Sequence, residues 1–189
     1  GAGLIISALK KKAKFTAGVD NVIYKKFLTG NNHLFFKNID EIIKNKVKFD
    51  IVFSLSELEH KYNPILFLKK IKKILKKNGC VVLRIPNFKN IYAQLLNESF
   101  YKYDYRTSHN FYFSEKNLDL MFKKLNFKIY LKKGFNEYSF NHLCTYLIKN
   151  KRVKTNNIQN IFDVKTSKRA IANIEFNKIS TSFIYILKN

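Results

Sequence analysis

Between Phe49 and Pro86 the chain reads FDIVFSLSELEH, then KYNPILFLKKIKKILKKNG, then CVVLRIP, a stretch that leaves few folds open. Phe49 to Ser54 is a short apolar run rich in β-branched and aromatic residues, the pattern of a strand buried on both faces. Asn63 can accept a hydrogen bond as a helix N-cap, and Pro64 suits the first helical position because its missing N–H costs nothing there. Ile65, Leu68, Ile71 and Leu75 then fall on one stripe, with Lys69, Lys70, Lys72, Lys73, Lys76 and Lys77 turned to water. Those lysines crowd the last turns, where positive charge meets the negative end of the helix dipole. Asn78-Gly79 is expected to give the left-handed stop, and Cys80 to Ile85 a second buried strand. Strand, helix and strand in this order predict a right-handed parallel crossover.

The run from FDIVFSLSELEH through LKKNG to VVLRIPN resembles class I S-adenosylmethionine-dependent methyltransferases. Their usual pattern is FD-x-V, then LEH, a helix closing in LKPGG, and a strand ending in PN. The resemblance implies an α/β, doubly wound, Rossmann-like fold. Its sheet would be mostly parallel, with an antiparallel C-terminal edge strand, and its cofactor S-adenosyl-L-methionine. Gly1-Ala2-Gly3 resembles the tail of the family's glycine-rich loop, before a helix at about Leu4 to Lys12. Glycines are needed there because the cofactor approaches the backbone too closely for a Cβ. Asp20 closes an apparent strand, Lys14 to Val19, and an acidic residue about 20 positions past the glycines is placed to accept hydrogen bonds from ribose hydroxyls. Ile39 and Asp40, after a strand at His33 to Lys37, stand where the family lays the adenine. Asp40-Glu41 reads equally well as the acidic first turn of the next helix. The resemblance assigns cofactor contacts to Gly1, Ala2, Gly3, Asp20, Asn21, Ile39, Asp40, Ser54 and Leu55; Asn21 also reads as the cap of a short helix to Leu28.

The sequence departs from the family in two places. Ile5 stands where a third glycine is common, and the acidic residue shortly before the first glycine would lie upstream of Gly1. By resemblance the first, central strand is missing, so the chain is expected to be an N-terminally truncated piece of a longer enzyme. Neighbouring strands without it would leave backbone groups unpaired, at about 1–3 kcal/mol each.

The remainder reads as helices at Phe88 to Leu96, after Ser114, at Tyr138 to Ile148 and at Ser167 to Phe176, with strands at Phe127 to Leu131 and Ser182 to Leu187. The helix after Ser114 carries the stripe Leu118, Met121, Phe122 and Leu125. The expected organisation is one domain over residues 1–189, residues 1–96 holding the cofactor and 97–189 facing the acceptor.

In open parallel sheets ligands lie beyond the carboxyl ends of the strands, where strand order reverses. The ends here are the Gly1–Gly3 loop, Asp20, Ile39-Asp40, Ser54 to His60 and Pro86-Asn87. For methylation of a hydroxyl a general base helps, and histidine is the commonest because its pKa sits near working pH. His60 and His109 are the candidate catalytic residues, against readings as a packing residue and a solvent-exposed loop residue. Tyr103 and Asp104 are weaker candidates, and His33 and His142 read as structural or surface residues. Glu57, Glu59 and His60 cluster in sequence, but the spacing is too loose to announce a metal, and none is expected. Cys80 and Cys144 suit neither a disulfide framework nor a metal set. The aromatic loop of Phe100, Tyr101, Tyr103, Tyr105, Phe111, Tyr112 and Phe113 reads as a lid over an acceptor pocket, or as core packing, the better reading for Phe111 and Phe113. Tyrosines with Arg106 would suit a sugar or phosphorylated acceptor.

A net charge of +23 ordinarily points to nucleic acid. Here only Arg84, Arg106, Arg152 and Arg169 among 36 basic residues are arginine, and lysine is spread evenly in a chain also rich in Asn, Ile and Phe. A solvated lysine coat accounts for that. No apolar run reaches the roughly 18 residues of a membrane span. The expected protein is a cytoplasmic methyltransferase acting on O or N of a small-molecule acceptor, with a carbohydrate or nucleotide-sugar in view. The alternatives are a non-catalytic binding module and an RNA methyltransferase. The latter lacks the Asn/Asp-Pro-Pro-aromatic signature, since Asn63-Pro64 has no second proline.

Overall fold

The computed structural model describes residues 4–20, 22–96 and 98–189, with no side chains described at 103, 104 and 155. In chain order the elements are α1 (Leu4–Leu9), β1 (Ala17–Val19), α2 (Lys25–Gly30), β2 (Leu34–Phe36), α3 (Ile39–Lys44) and β3 (Phe49–Leu55). There follow α4 (Pro64–Ile74), β4 (Leu75–Pro86), α5 (Ile91–Leu96), α6 (Glu98–Asp104) and α7 (Glu115–Lys124). The chain ends with β5 (Lys128–Phe135), α8 (Phe140–Lys149), α9 (Val164–Phe176) and β6 (Ser182–Lys188).

The helix starts follow the local chemistry. Asn63 Oδ1 accepts from Leu66 N–H at 2.8 Å ahead of Pro64, and Asn38, Ser114, Ser139 and Asp163 cap α3, α7, α8 and α9 in the same way. Asp40 and Glu41 occupy the first turn of α3. The end of α4 differs from expectation. The helix stops at Ile74, and Asn78-Gly79 lies inside the span of β4 instead of ending the helix. Phe49 pairs with Leu75 and Ile51 with Cys80, so residues 76–79 bulge out of the ladder. Gly79 fits there because a Cβ would come within 2.9 Å of Phe49 O. The buried stripe of α4 is Pro64, Leu68, Ile71 and Ile74, while Ile65 is 46% exposed. Lys72 is half-buried, its Nζ donating to Leu125 O and Asn126 O at 2.9 and 2.8 Å, where it closes the C-terminal end of α7.

β3 and β4 are parallel, as the crossover requires, and β6 pairs antiparallel with both β4 and β5 in the order β3-β4-β6-β5. The last strand is antiparallel as expected but not at the edge. Its side chains Phe183, Tyr185 and Leu187 enter the main core, and β5 takes the edge. β1 and β2 form a separate parallel ladder. Phe15 and Phe49, just before β1 and at the start of β3, have ring centroids 5.6 Å apart, so both strands start at one rim and end at the other. The expectation that β3 is buried on both faces fails: only Ser54 within it is fully buried, and Ile51 is 48% exposed. Among the described residues no strand pairs with its second edge.

The main core joins Leu68 and Ile71 of α4 to Val81, Leu83 and Ile85 of β4 and to Leu118 and Phe122 of α7. Each fully buried side chain of this kind stabilises the fold by about 1.5–3 kcal/mol. Tyr92, Leu96, Leu143, Tyr146, Val153 and Ile174 make a second core between α5, α8 and α9. Among the described residues no helix is long and apolar enough to cross a membrane.

Candidate active site

The rim where β1, β3 and β4 end holds the candidate histidines. β3 leaves its ladder through Ser56, held in the left-handed region at φ 53, uncommon for a residue with a Cβ. Two contacts fix that turn. Ser56 N–H donates to Arg84 O at 2.9 Å, and Arg84 Nη2 donates to Ser56 Oγ at 2.9 Å. Leu58 to His60 then form a single 3-10 turn. Its carbonyls are taken by the loop ahead of α7: Asn110 and Phe111 N–H both donate to Glu59 O, and Asn110 Nδ2 donates to His60 O at 2.8 Å. Residues 50 positions apart in the chain are thereby stapled together.

That staple brings the two candidate histidines into contact. The rings of His60 and His109 meet edge to face with centroids 4.8 Å apart. His60 Nδ1 lies 2.8 Å from Ser108 O, so it carries the proton and leaves the lone pair on Nε2. Burial pushes the His109 imidazole below its usual pKa of 6.5, and His60 and Arg106 push the same way, so it is neutral at physiological pH. Glu59, weighed only within a loose metal set, is 1% exposed and has no hydrogen-bond partner for either carboxylate oxygen among the described residues. Burial pushes its carboxyl above the ordinary range; its own backbone, His60 and Arg84 pull down and Glu57 pushes up, without cancelling that rise. Glu57 points away, paired with Lys61 at 2.7 Å.

The expected cofactor residues divide. Gly1, Ala2, Gly3 and Asn21 lie outside the described residues. Asp20 follows β1 at the same rim, its N–H donating to Phe36 O at 3.4 Å. Ile39 is half-buried against the cluster of Phe36, Ile42 and Ile74, and Asp40 pairs with Lys70 at 2.6 Å. Leu55 is half-buried, and Ser54 is 5% exposed with an Oγ that has no partner among the described residues. A buried hydroxyl left open at a strand end fits a polar ligand there. Asn87 does not: its Nδ2 donates to Lys178 O and Ser180 O, and its Oδ1 accepts from Lys89 N–H. The side chains of Tyr103 and Asp104 are outside what is described.

Around the histidines stands part of the aromatic loop. Tyr105 and Tyr112 stack with centroids 4.5 Å apart, and Tyr112 lies 5.4 Å from His109. Phe113 is in the main core, whereas Phe111 stacks on it and stays 38% exposed. Arg84, Ser108 and Asn110 were not foreseen. Arg84 alone gave a signal, as an arginine inside a buried strand of a lysine-rich chain.

Residues 1–132 match a family described as a methyltransferase domain. The chain belongs to that family. The ubiquinone biosynthesis O-methyltransferase of Pelagibacter ubique is 30% identical to it over 97 residues, 46% of this chain and 39% of that enzyme. The match thus spans well under half the length of that curated relative. A SAM-dependent methyltransferase from Archaeoglobus fulgidus superposes with a TM-score of 0.63 at 20% identity, covering 100% of this chain and 82% of the other. The plantazolicin methyltransferase BamL, solved with a triazolic desmethylPZN analogue and SAH, superposes at 0.60 with 12% identity, covering 100% and 74%. These two likenesses show the fold.

Proposed function

We propose that this methyltransferase-family protein uses S-adenosyl-L-methionine to methylate an oxygen or nitrogen of a small acceptor bound at the rim above β3. The observation that carries the reading is the meeting of His60 and His109 at 4.8 Å past the end of β3, the strand whose buried Ser54 hydroxyl has no partner among the described residues. Asp20, Ile39, Asp40, Ser54 and Leu55 are the described residues that would hold the cofactor, which supplies an electrophilic methyl group. The chain's own part is to hold the acceptor in line and take its proton. With the cofactor held there, its methyl carbon would be the group the acceptor attacks, and His60 Nε2 would take the acceptor's proton. Ser108 O, accepting from Nδ1–H, steadies the imidazolium so formed. The stacked Tyr105–Tyr112 pair and Arg106 suit a flat or hydroxylated acceptor, a carbohydrate or nucleotide-linked sugar included.

Among the described residues, β1 and β3 each keep one edge without a strand partner. The test is calorimetry with S-adenosylhomocysteine and a radiolabelled methyl-transfer screen over hydroxylated acceptors, on the full-length gene product. Binding with transfer is expected, and His60→Ala should keep binding while transfer falls by about 100-fold or more. Absence of any S-adenosylhomocysteine binding overturns the reading.

A further inference from the structure

We propose that Glu59, His60 and His109 form a site for a divalent cation of the zinc class. Their candidate ligand atoms, one carboxylate oxygen and two imidazole nitrogens, all lie within 4.8 Å of one another. Tetrahedral coordination at about 2.0–2.1 Å puts ligand atoms about 3.3 Å apart, so modest side-chain rotations close the set. Three protein ligands leave a further position open, the arrangement of a reactive site more than of a structural one.

Three observations mark this as a ligand site instead of a chance cluster. Glu59 is 1% exposed, yet neither carboxylate oxygen has a partner among the described residues. A buried carboxylate left that way is costly unless something positive meets it. His109 Nδ1 is likewise buried without a partner among the described residues. His60 has its Nδ1 on Ser108 O, the second-sphere carbonyl contact that fixes a metal-binding imidazole with its other nitrogen free. The backbone of Glu59 and His60 is tied to residues 110 and 111, so the ligands from two distant segments are held in register without the ion. The donor set, two nitrogens and one oxygen with no thiolate, suits zinc, cobalt(II) or another first-row ion above magnesium or calcium. This revises the expectation of no metal. The sequence placed Glu57 in the set, but Glu57 pairs with Lys61, and the third ligand comes from His109.

The ion's part in methyl transfer rests on the methyltransferase reading, and the site itself does not. With the ion bound, both histidine lone pairs are occupied, so the acceptor hydroxyl would lose its proton on the metal, to solvent, in place of transfer to His60. Titration of the full chain with cobalt(II) chloride reads the site without cofactor or substrate. Ligand-field absorption in the visible should grow to one equivalent and be displaced by zinc. Glu59→Gln, close in shape, and His109→Ala should each weaken cobalt binding by about 10-fold or more, and His33→Asn should leave it unchanged. No visible band, or a band kept in both variants and so owed to other groups, overturns the proposal. S-adenosylhomocysteine binding measured in parallel separates the two failures. If it persists without cobalt binding, only the metal site is lost. Cobalt binding without it removes the methyltransferase reading and leaves the cation site standing.

Discussion

His142 and His109 are imidazoles in one small protein, and their surroundings differ sharply. His142 stands in the second core, with Nδ1 3.0 Å from Tyr92 OH, Nε2 3.1 Å from Val153 O and Tyr138 stacked on its ring at 4.4 Å. Both its nitrogens are spoken for. His109 lies beside His60 and Glu59, where one histidine nitrogen and both carboxylate oxygens have no partner among the described residues. Buried polar atoms with partners hold a fold together, whereas buried polar atoms without them are kept at a cost to stability. The first group is architecture, and the second is what a ligand would complete. His33, between Thr16 Oγ1 at 2.6 Å and Ser7 Oγ at 3.0 Å, falls with the architecture.

The largest effect separating the two groups is on stability. His142→Ala opens a cavity and strands the Tyr92 hydroxyl, and should lower unfolding free energy by about 3 kcal/mol in urea titration. Glu59→Leu, similar in volume, should do the reverse, raising stability by about 1–2 kcal/mol while methyl transfer is lost. Loss of stability on that change would place Glu59 among the structural groups and break the comparison. A third region sharpens it by pH. Burial raises the Glu115 carboxyl, but hydrogen bonds from Lys132 and Lys178 outweigh it and hold its pKa below the usual range. Its folded pKa being depressed, the stabilisation is complete above the unfolded value of about 4.3 and fades as pH falls through the folded value. Unfolding free energies from urea titration between pH 6 and pH 3 should fall less steeply in Glu115→Gln, by about 1 kcal/mol across the window. The smallest effect belongs to Asp40→Asn. Removing an exposed pair with Lys70 should shift stability by no more than about 0.5 kcal/mol, while S-adenosylhomocysteine affinity falls measurably in calorimetry.

Much of the fold was legible because it is locally encoded. Asn63-Pro64, Ser114 and the apolar spacing of Leu118 and Phe122 each act within a turn or two of themselves. The misreadings concern partners far along the chain. Asn78-Gly79 has the composition of a helix stop, yet the ladder with Phe49 draws Leu75 out of the helix first. β6 reads as an edge strand until β5 pairs with its far side. β3 has the composition of a doubly covered strand, and the sheet divides beside it. At the site, His60 and His109 were visible as residue types suited to proton transfer. What joins them, Asn110 on the His60 carbonyl and Ser108 on its ring, lies about 50 residues downstream and leaves no periodic trace.

The central claim is that the open polar atoms at the end of β3 are where ligand binds. Hydrogen–deuterium exchange of the full-length protein with and without S-adenosylhomocysteine reads this directly. Slowed exchange concentrated in residues 54–60, extending to residues 105–113, is the predicted result. Unchanged exchange in both segments, or protection confined to the second core around His142, would contradict it.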